Sequence, residues 1–267
     1  MFNDIHIGPV TLHMYGLMIA IGFISALYIV LKRGKNKGLS EDTIYGIFYC
    51  AIIGGLLGCR LLFYIVEIPA IIKNPSILWN FKNGYVVYGG IIGGIVTSFI
   101  YLKKFRKEKF LPYFDVVMPA VSIAQGFGRI GCFCAGCCYG AQTTSRFHIV
   151  FTHSSFAPNG VPLIPTQLIS SAGDFLIGLI LILYSRKEKT AGRTSAMYLI
   201  LYGIGRFGIE FLRADYRGSL GIFSTSQIIS MVMVIIGIVL FTMAPKLVQE
   251  ETEETKEEVK EEVKEEQ

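Results

Sequence analysis

Charge is scarce in this sequence. Only 17% of its 267 residues are Asp, Glu, Lys or Arg, and 52% are hydrophobic, where a soluble domain is usually about 25% charged. With a mean hydropathy of +0.52, the shortage excludes an ordinary soluble domain and points to an integral membrane protein. Residues 1–11 have no positively charged stretch, and no small-residue cleavage site follows the first apolar run. That excludes a cleaved signal peptide and makes the first run a retained helix. A strand ahead of the two G-x-G-x-x-G stretches, GFGRIG (126–131) and GIGRFG (203–208), is also missing. Both sit late in apolar runs, which excludes a dinucleotide fingerprint.

Apolar windows of about 20 residues are plentiful. They predict seven spans near 12–31, 43–66, 85–102, 112–131, 165–184, 194–212 and 222–243. The loops 32–42, 103–109 and 185–193 hold four, five and four Lys or Arg residues. The alternate loops hold mainly Lys73, Lys82, Arg146, Arg213 and Arg217. By the positive-inside rule the first set is cytoplasmic, so the N-terminus lies outside and the C-terminus inside. The expected fold class is an all-α integral membrane protein, a bundle of seven transmembrane helices. Residues 1–245 form its transmembrane domain, with an outer-face loop at 141–164, a lid or a mobile segment. Residues 246–267 form an acidic cytoplasmic tail, disordered or partly helical. Residues 250–267 carry ten Glu against three Lys, which leaves +12 on residues 1–249 out of a net +5. That excess is an orientation signal and not a nucleic-acid surface.

Within the apolar runs stand Arg60, Arg129 and Arg206. An arginine at the centre of a lipid-embedded helix costs roughly 2.5–3.5 kcal/mol, so it normally faces a cavity, partner or ligand. All three fall in the later halves of outward-running spans, while Tyr15, Tyr88 and Gln167 come near the starts of inward-running ones. Six helices thus converge on the outer half of the bilayer. A guanidinium fork matches a pair of phosphate oxygens, which makes an anionic phospholipid head group the natural ligand. The competing reading gives each arginine a structural counter-ion. Asp174 suits that role, and Glu210, on the face shared by Arg206 and Arg213, suits either of those or the role of base. Glycines at 54, 55, 58, 89, 90, 93 and 94 read as close helix packing, or at Gly89 and Gly90 as room for a substrate. Four cysteines crowd into GRIGCFCAGCCYG (128–140). Packing, a disulfide or redox pair, and zinc ligation all remain open, although four ligands within seven residues strain a tetrahedron. His148 and His153 read as surface residues.

YGLMIAIGF (15–23), the Arg60–Tyr64 pair, VYGGIIGG (87–94), GRIGCFCAGCCYG (128–140), PTQL (165–168) and YGIGRFGIEFLR (202–213) stand in this order. Together they resemble the prolipoprotein diacylglyceryl transferase family over residues 10–243. The resemblance implies transfer of a diacylglyceryl group from phosphatidylglycerol to the lipobox cysteine of a prolipoprotein signal peptide, releasing glycerol phosphate. It implies no cofactor, no metal and no nucleic acid, in the cytoplasmic membrane of a bacterium among membrane lipids. Carried over by position are Arg129, Arg206, Tyr15, Tyr202, Glu210, Gly140, Arg213 and Gln167. Joined with the readings above and the positions where the chain departs from the family, the expected site has Arg129, Arg206, Tyr88 and Glu210 as catalytic, and Tyr15, Arg60, Gly89, Gly90, Cys132, Cys137, Gly140, Gln167, Tyr202 and Arg213 as substrate-binding. The family usually has histidine at Tyr88, asparagine at Cys132 and Ala135, and glutamate at Cys137. Alternatives are a related phospholipid-dependent transferase with another acceptor, or a membrane thiol-redox or metal protein on this scaffold. A transporter ranks last, because paired half-repeats are missing.

Overall fold

The computed structural model describes residues 4–7, 10–80, 84–188, 190–215, 219–220 and 222–265. Lys82, Lys189 and Arg217, counted above for orientation, lie outside the described residues, as do Glu266 and Gln267 at the end of the tail. A hairpin of β1 (Asp4–Ile7) and β2 (Val10–His13) leads into α1 (Met14–Asn36). Next come α2 (Glu41–Val66), the short α3 (Ile68–Lys73), a 3-10 segment Pro75–Trp79, and α4 (Val87–Ile100) with π-helical turns over Tyr101–Arg106. Then follow α5 (Phe110–Ala135), β3 (Ile149–Val150), β4 (Pro162–Leu163), α6 (Thr166–Lys187) and α7 (Arg193–Glu210). β5 (Ser219–Leu220), β6 (Phe223–Ser224) and α8 (Thr225–Glu265) complete the order. Every expected span therefore coincides with a helix.

Among the described residues, five helices are long and apolar enough to cross a membrane: α1, α2, α5, α6 and α8 over Thr225–Pro245. The other two differ for identifiable reasons. α4 has 14 residues, about 21 Å of rise against a hydrocarbon core of about 30 Å. α7 has 18 residues and spends three of them on Arg193, Arg206 and Glu210. The helices turn apolar side chains outward: Ile24, Leu57, Leu61, Leu176 and Ile235 are each more than half exposed. Water-soluble monomers avoid apolar surface on that scale; lipid accommodates it.

The chain divides into two compact units, residues 30–113 and residues 1–29 with 114–267. In the first, α2 and α4 touch backbone to backbone. A Cβ added at Gly58 would stand 2.2 Å from Gly89 O, and one at Gly93 would stand 2.2 Å from Gly54 O. Only bare glycine admits that approach. Thr97 Oγ1 secures the pair by donating to Cys50 O at 2.8 Å. Where the basic loop begins, Thr43 donates to Glu108 (2.8 Å), Arg106 donates to Thr43 (2.8 Å), and Tyr113 donates to the other Glu108 oxygen.

In the second unit α1 lies against α5, with Gly22 facing Ala124 O and Gly131 facing Tyr15. Ser122 of α5 donates to Asp174 O (2.7 Å), and Ser171 of α6 donates to Gly126 O (2.9 Å). Helix α7 starts at a left-handed Gly192 without a capping side chain of its own. Buried Asp115 of α5 replaces it, accepting from Gly192 N (2.8 Å), Ser195 N (2.8 Å) and Ser195 Oγ (2.7 Å). The orphan donors of a helix start are thereby satisfied from a neighbouring helix. The loop at 141–164, expected as a lid or a mobile segment, folds around its own small core of Phe151, Ala157 and Leu163. Asn159 and Ser154 tie its tip together at 2.8 Å.

Candidate active site

The end of α5 sets the geometry. Ala135 closes the helix and Gly136 follows in the left-handed region, φ 75°. Gly136 N donates to Phe133 O (3.2 Å) and Cys137 N donates to Cys132 O (3.1 Å). This is a Schellman stop, in which the first residue of the last turn and the second residue past the cap face each other. Here both are cysteines. Cys138 follows with φ 62°, an uncommon conformation for a residue with a side chain. Its sulfur joins the pair: the Sγ atoms of Cys132, Cys137 and Cys138 all lie within 4.8 Å of one another, so these three could hold a metal ion. Neither Cys134 nor the histidines belong to that group, and His148 and His153 are exposed.

Beyond the turn, residues 139–143 run extended between two other segments. Gly140 N donates to Ile164 O (3.2 Å), Ala141 N donates to Leu212 O (2.9 Å) and Thr143 N donates to Pro162 O (3.0 Å). Gly140 is there because a Cβ would meet Ile164 O at 2.5 Å. The start of α6 clamps the turn: Thr166 Oγ1 donates to Cys138 O and buried Gln167 Nε2 to Cys137 O, both at 2.8 Å. Gln167 thus holds the backbone that carries the thiols, and its Oε1 is buried with no partner among the described residues.

Around this turn stand three guanidiniums. Arg129 of α5 has no hydrogen bond or ion pair among the described residues, and Tyr202, Cys132, Asp174 and Cys138 are close enough to act on its charge. Arg206 of α7 pairs with Glu210 at 2.7 Å and donates to Ser226 Oγ at 2.8 Å. Its Nη1 is buried with no partner among the described residues. Arg206 feels the charges of both Arg129 and Arg213. Arg213, past the end of α7, forms a two-pronged pair with Asp215 at 2.9 and 2.7 Å and also reaches Cys138. Burial disfavours its charge, but Asp215 and Cys138 outweigh that and raise its pKa. Asp174, with 6% of its surface exposed, answers the charges of Arg129 and Arg206. The structure therefore brings together Tyr15, Arg129, Cys132, Cys137, Tyr202, Arg206, Glu210 and Arg213, and adds Cys138 and Asp174. Tyr15 interacts with the cysteine trio and with Arg129, and Tyr202 stacks on Tyr198 at 5.5 Å.

The candidates of the other unit behave differently. Arg60 spends its donors locally, on Tyr64 Oη (2.8 Å), Gly84 O (3.2 Å), Ile77 O (3.3 Å) and Leu78 O (3.1 Å), and lies over the Tyr64 ring at 4.7 Å. It ties Ile77, Leu78 and Gly84 to α2. The room expected at Gly89 and Gly90 is filled: a Cβ at Gly89 would lie 2.2 Å from Gly58 O, and one at Gly90 would lie 2.5 Å from Cys59 Sγ. On the Cβ side, both glycines pack against α2. Tyr88 is 41% exposed.

Apolar helices sized for a bilayer, with guanidiniums gathered near the ends of α5 and α7, mark the chain as a membrane protein. The family model described as prolipoprotein diacylglyceryl transferase matches residues 4–243. The chain belongs to that family. A phosphatidylglycerol–prolipoprotein diacylglyceryl transferase of Clostridium tetani (strain Massachusetts / E88) is 48% identical over 229 residues, 86% of this chain and 92% of the relative. One from Clostridium perfringens (strain 13 / Type A) is 46% identical over 242 residues, 90% of this chain and 94% of the relative. Another, from Finegoldia magna (strain ATCC 29328 / DSM 20472 / WAL 2508), is 35% identical over 230 residues, 85% of this chain and 88% of the relative.

Proposed function

We propose that this protein transfers the diacylglyceryl group of phosphatidylglycerol to the lipobox cysteine thiol of a prolipoprotein signal peptide. The observation that carries the reading is the pair of unspent guanidinium donors. Among the described residues Arg206 Nη1 is buried without a partner, and Arg129 forms no hydrogen bond or ion pair. A buried donor left open costs about 1–3 kcal/mol, and a phosphate oxygen supplies what is missing. In the reaction the acceptor sulfur, as thiolate, attacks the glyceryl carbon that carries the phosphoester. The carbon–oxygen bond breaks and glycerol phosphate leaves with the electron pair. Arg129 and Arg206 hold the phosphodiester and stabilise charge growing on the departing oxygen. Glu210 fixes Arg206 and is assigned the thiol proton, and Tyr88 is assigned help in activating the thiol. Tyr15, Tyr202, Gln167, Gly140 and Arg213 shape the lipid and peptide sites.

In this reading α4 with its π-helical extension and α7 cross as well, giving seven spans in a bacterial cytoplasmic membrane, N-terminus outside. Residues 1–245 form the transferase domain, and 246–267 lie in the cytoplasm. The test supplies phosphatidylglycerol and a lipobox peptide to the protein in detergent and measures glycerol phosphate. Release that depends on the peptide cysteine is expected. Normal turnover by Arg129→Ala would exclude the role given to that residue, and an unchanged rate in Tyr88→Phe would return its hydroxyl to packing.

A further inference from the structure

The cysteine trio is left over once the phosphate site has been accounted for. The Schellman stop points Cys132 and Cys137 at one another, and the left-handed backbone of Cys138 brings the third sulfur in. Backbone strain of this kind persists only where the surroundings hold it, and Thr166 and Gln167 do so by gripping the carbonyls of Cys138 and Cys137. Zn–S bonds of about 2.3 Å place tetrahedral sulfurs about 3.8 Å apart. The observed limit of 4.8 Å leaves only a small contraction. A disulfide would use two of the three thiols and strand the last, whereas an ion uses all of them. The group contains no carboxylate and no imidazole, which favours a soft, thiophilic cation over calcium or magnesium.

We propose that Cys132, Cys137 and Cys138 bind one Zn2+ ion as thiolates, with the fourth tetrahedral position open to the acceptor thiol. Binding releases three thiol protons to solvent and changes no oxidation state. The resulting three-thiolate complex carries one net negative charge. Arg129 and Arg213, both within electrostatic reach of the trio, offset it. Three protein ligands and one open position form the arrangement of zinc sites that act on substrates. A thiol entering that position binds as thiolate, and its proton passes to Glu210, the carboxylate already assigned it. The identity of this entering thiol rests on the transferase reading; the ion itself does not.

The experiment uses the full chain, purified reduced in detergent, with zinc measured by elemental analysis and Co2+ exchanged in as a spectroscopic probe. One ion per chain and a thiolate-to-cobalt charge-transfer band are expected in the wild type and in Cys134→Ser. Both are expected to vanish in Cys132→Ser, Cys137→Ser and Cys138→Ser, with helical circular dichroism checking that each variant is folded. A cysteine lipobox peptide is expected to shift the cobalt spectrum, and its serine counterpart to leave it unchanged. No cobalt band in the reduced protein, or equal loss in Cys134→Ser, overturns the site. A spectrum unmoved by the cysteine peptide overturns the open position. Glycerol phosphate release is followed on the same samples, so a protein that binds the ion without turnover counts against the transferase reading alone.

Discussion

Arg129 and Arg206 bring the same guanidinium into different circumstances. Among the described residues Arg129 has no hydrogen-bond or ion-pair partner, while Arg206 is bound to Glu210 at 2.7 Å and to Ser226 at 2.8 Å. Removing one preorganised donor typically slows a reaction by about 100- to 1000-fold. Arg129→Ala is expected to lose that much glycerol phosphate release while melting at the wild-type temperature in detergent. Arg206→Ala is expected to lose turnover and stability together. It leaves the Glu210 side chain, 9% exposed, as an unpaired buried charge, a defect that costs about 3–5 kcal/mol. Equal melting temperatures for the two variants would remove the distinction. Glu188, outside the helices, offers a pH readout at this scale. Burial would raise its pKa, but Thr190, Arg193 and Tyr184 outweigh that and hold it at about 2, below an ordinary 4.5. A depressed carboxylate stabilises the fold above its unfolded pKa and loses that contribution as pH falls through the folded value. Thermal stability should therefore fall as pH drops from 4.5 to about 2, and Glu188→Gln should flatten that slope.

Among the elements, the α2–α4 contact depends on missing side chains. A methyl at Gly58 would meet a backbone oxygen at 2.2 Å, and backbone cannot rotate out of the way. Gly58→Ala must push the helices apart, at a cost of about 1–3 kcal/mol for overpacking. Gly173 of α6 has nothing within 4 Å of its notional Cβ. Gly173→Ala is expected to hold or raise stability, since alanine is the better helix former by about 1 kcal/mol. Detergent melting curves of the two variants check the contrast, and equal shifts would refute it. Helix α7 follows a different logic, because its cap, Asp115, comes from α5.

For the whole molecule, hydropathy made the helices legible. Apolar runs are local, and each expected span lies on a helix within a few residues. Arg129, Arg206 and Glu210 stood out as candidates too, because a charge in an apolar run is conspicuous, whereas Tyr202 came from the family resemblance alone. What stayed hidden is non-local. Asp115 sits 77 residues from Gly192, and nothing in the sequence joins them. Asp215 took Arg213 although Glu210 stood on the expected face. That Gly89 faces Gly58 O, with no space for a Cβ on that side, depends on a helix 31 residues away in the chain. At the cysteines, the spacing left packing, a disulfide or redox pair and zinc ligation open, while the left-handed residues Gly136 and Cys138 accompany a gathering of three of the four sulfurs. Seven crossings predict that reporters fused after residues 36 and 187 lie on the cytoplasmic side and one fused after residue 66 on the outer side; the reverse pattern would invert the topology. The stop after Ala135 carries one more implication. A single turn both ends a helix and aligns the residues at 132 and 137, so this stretch tolerates exchange of its side chains better than any change in their number. One residue inserted between them would undo helix ending and alignment at a stroke, whatever chemistry those two positions carry.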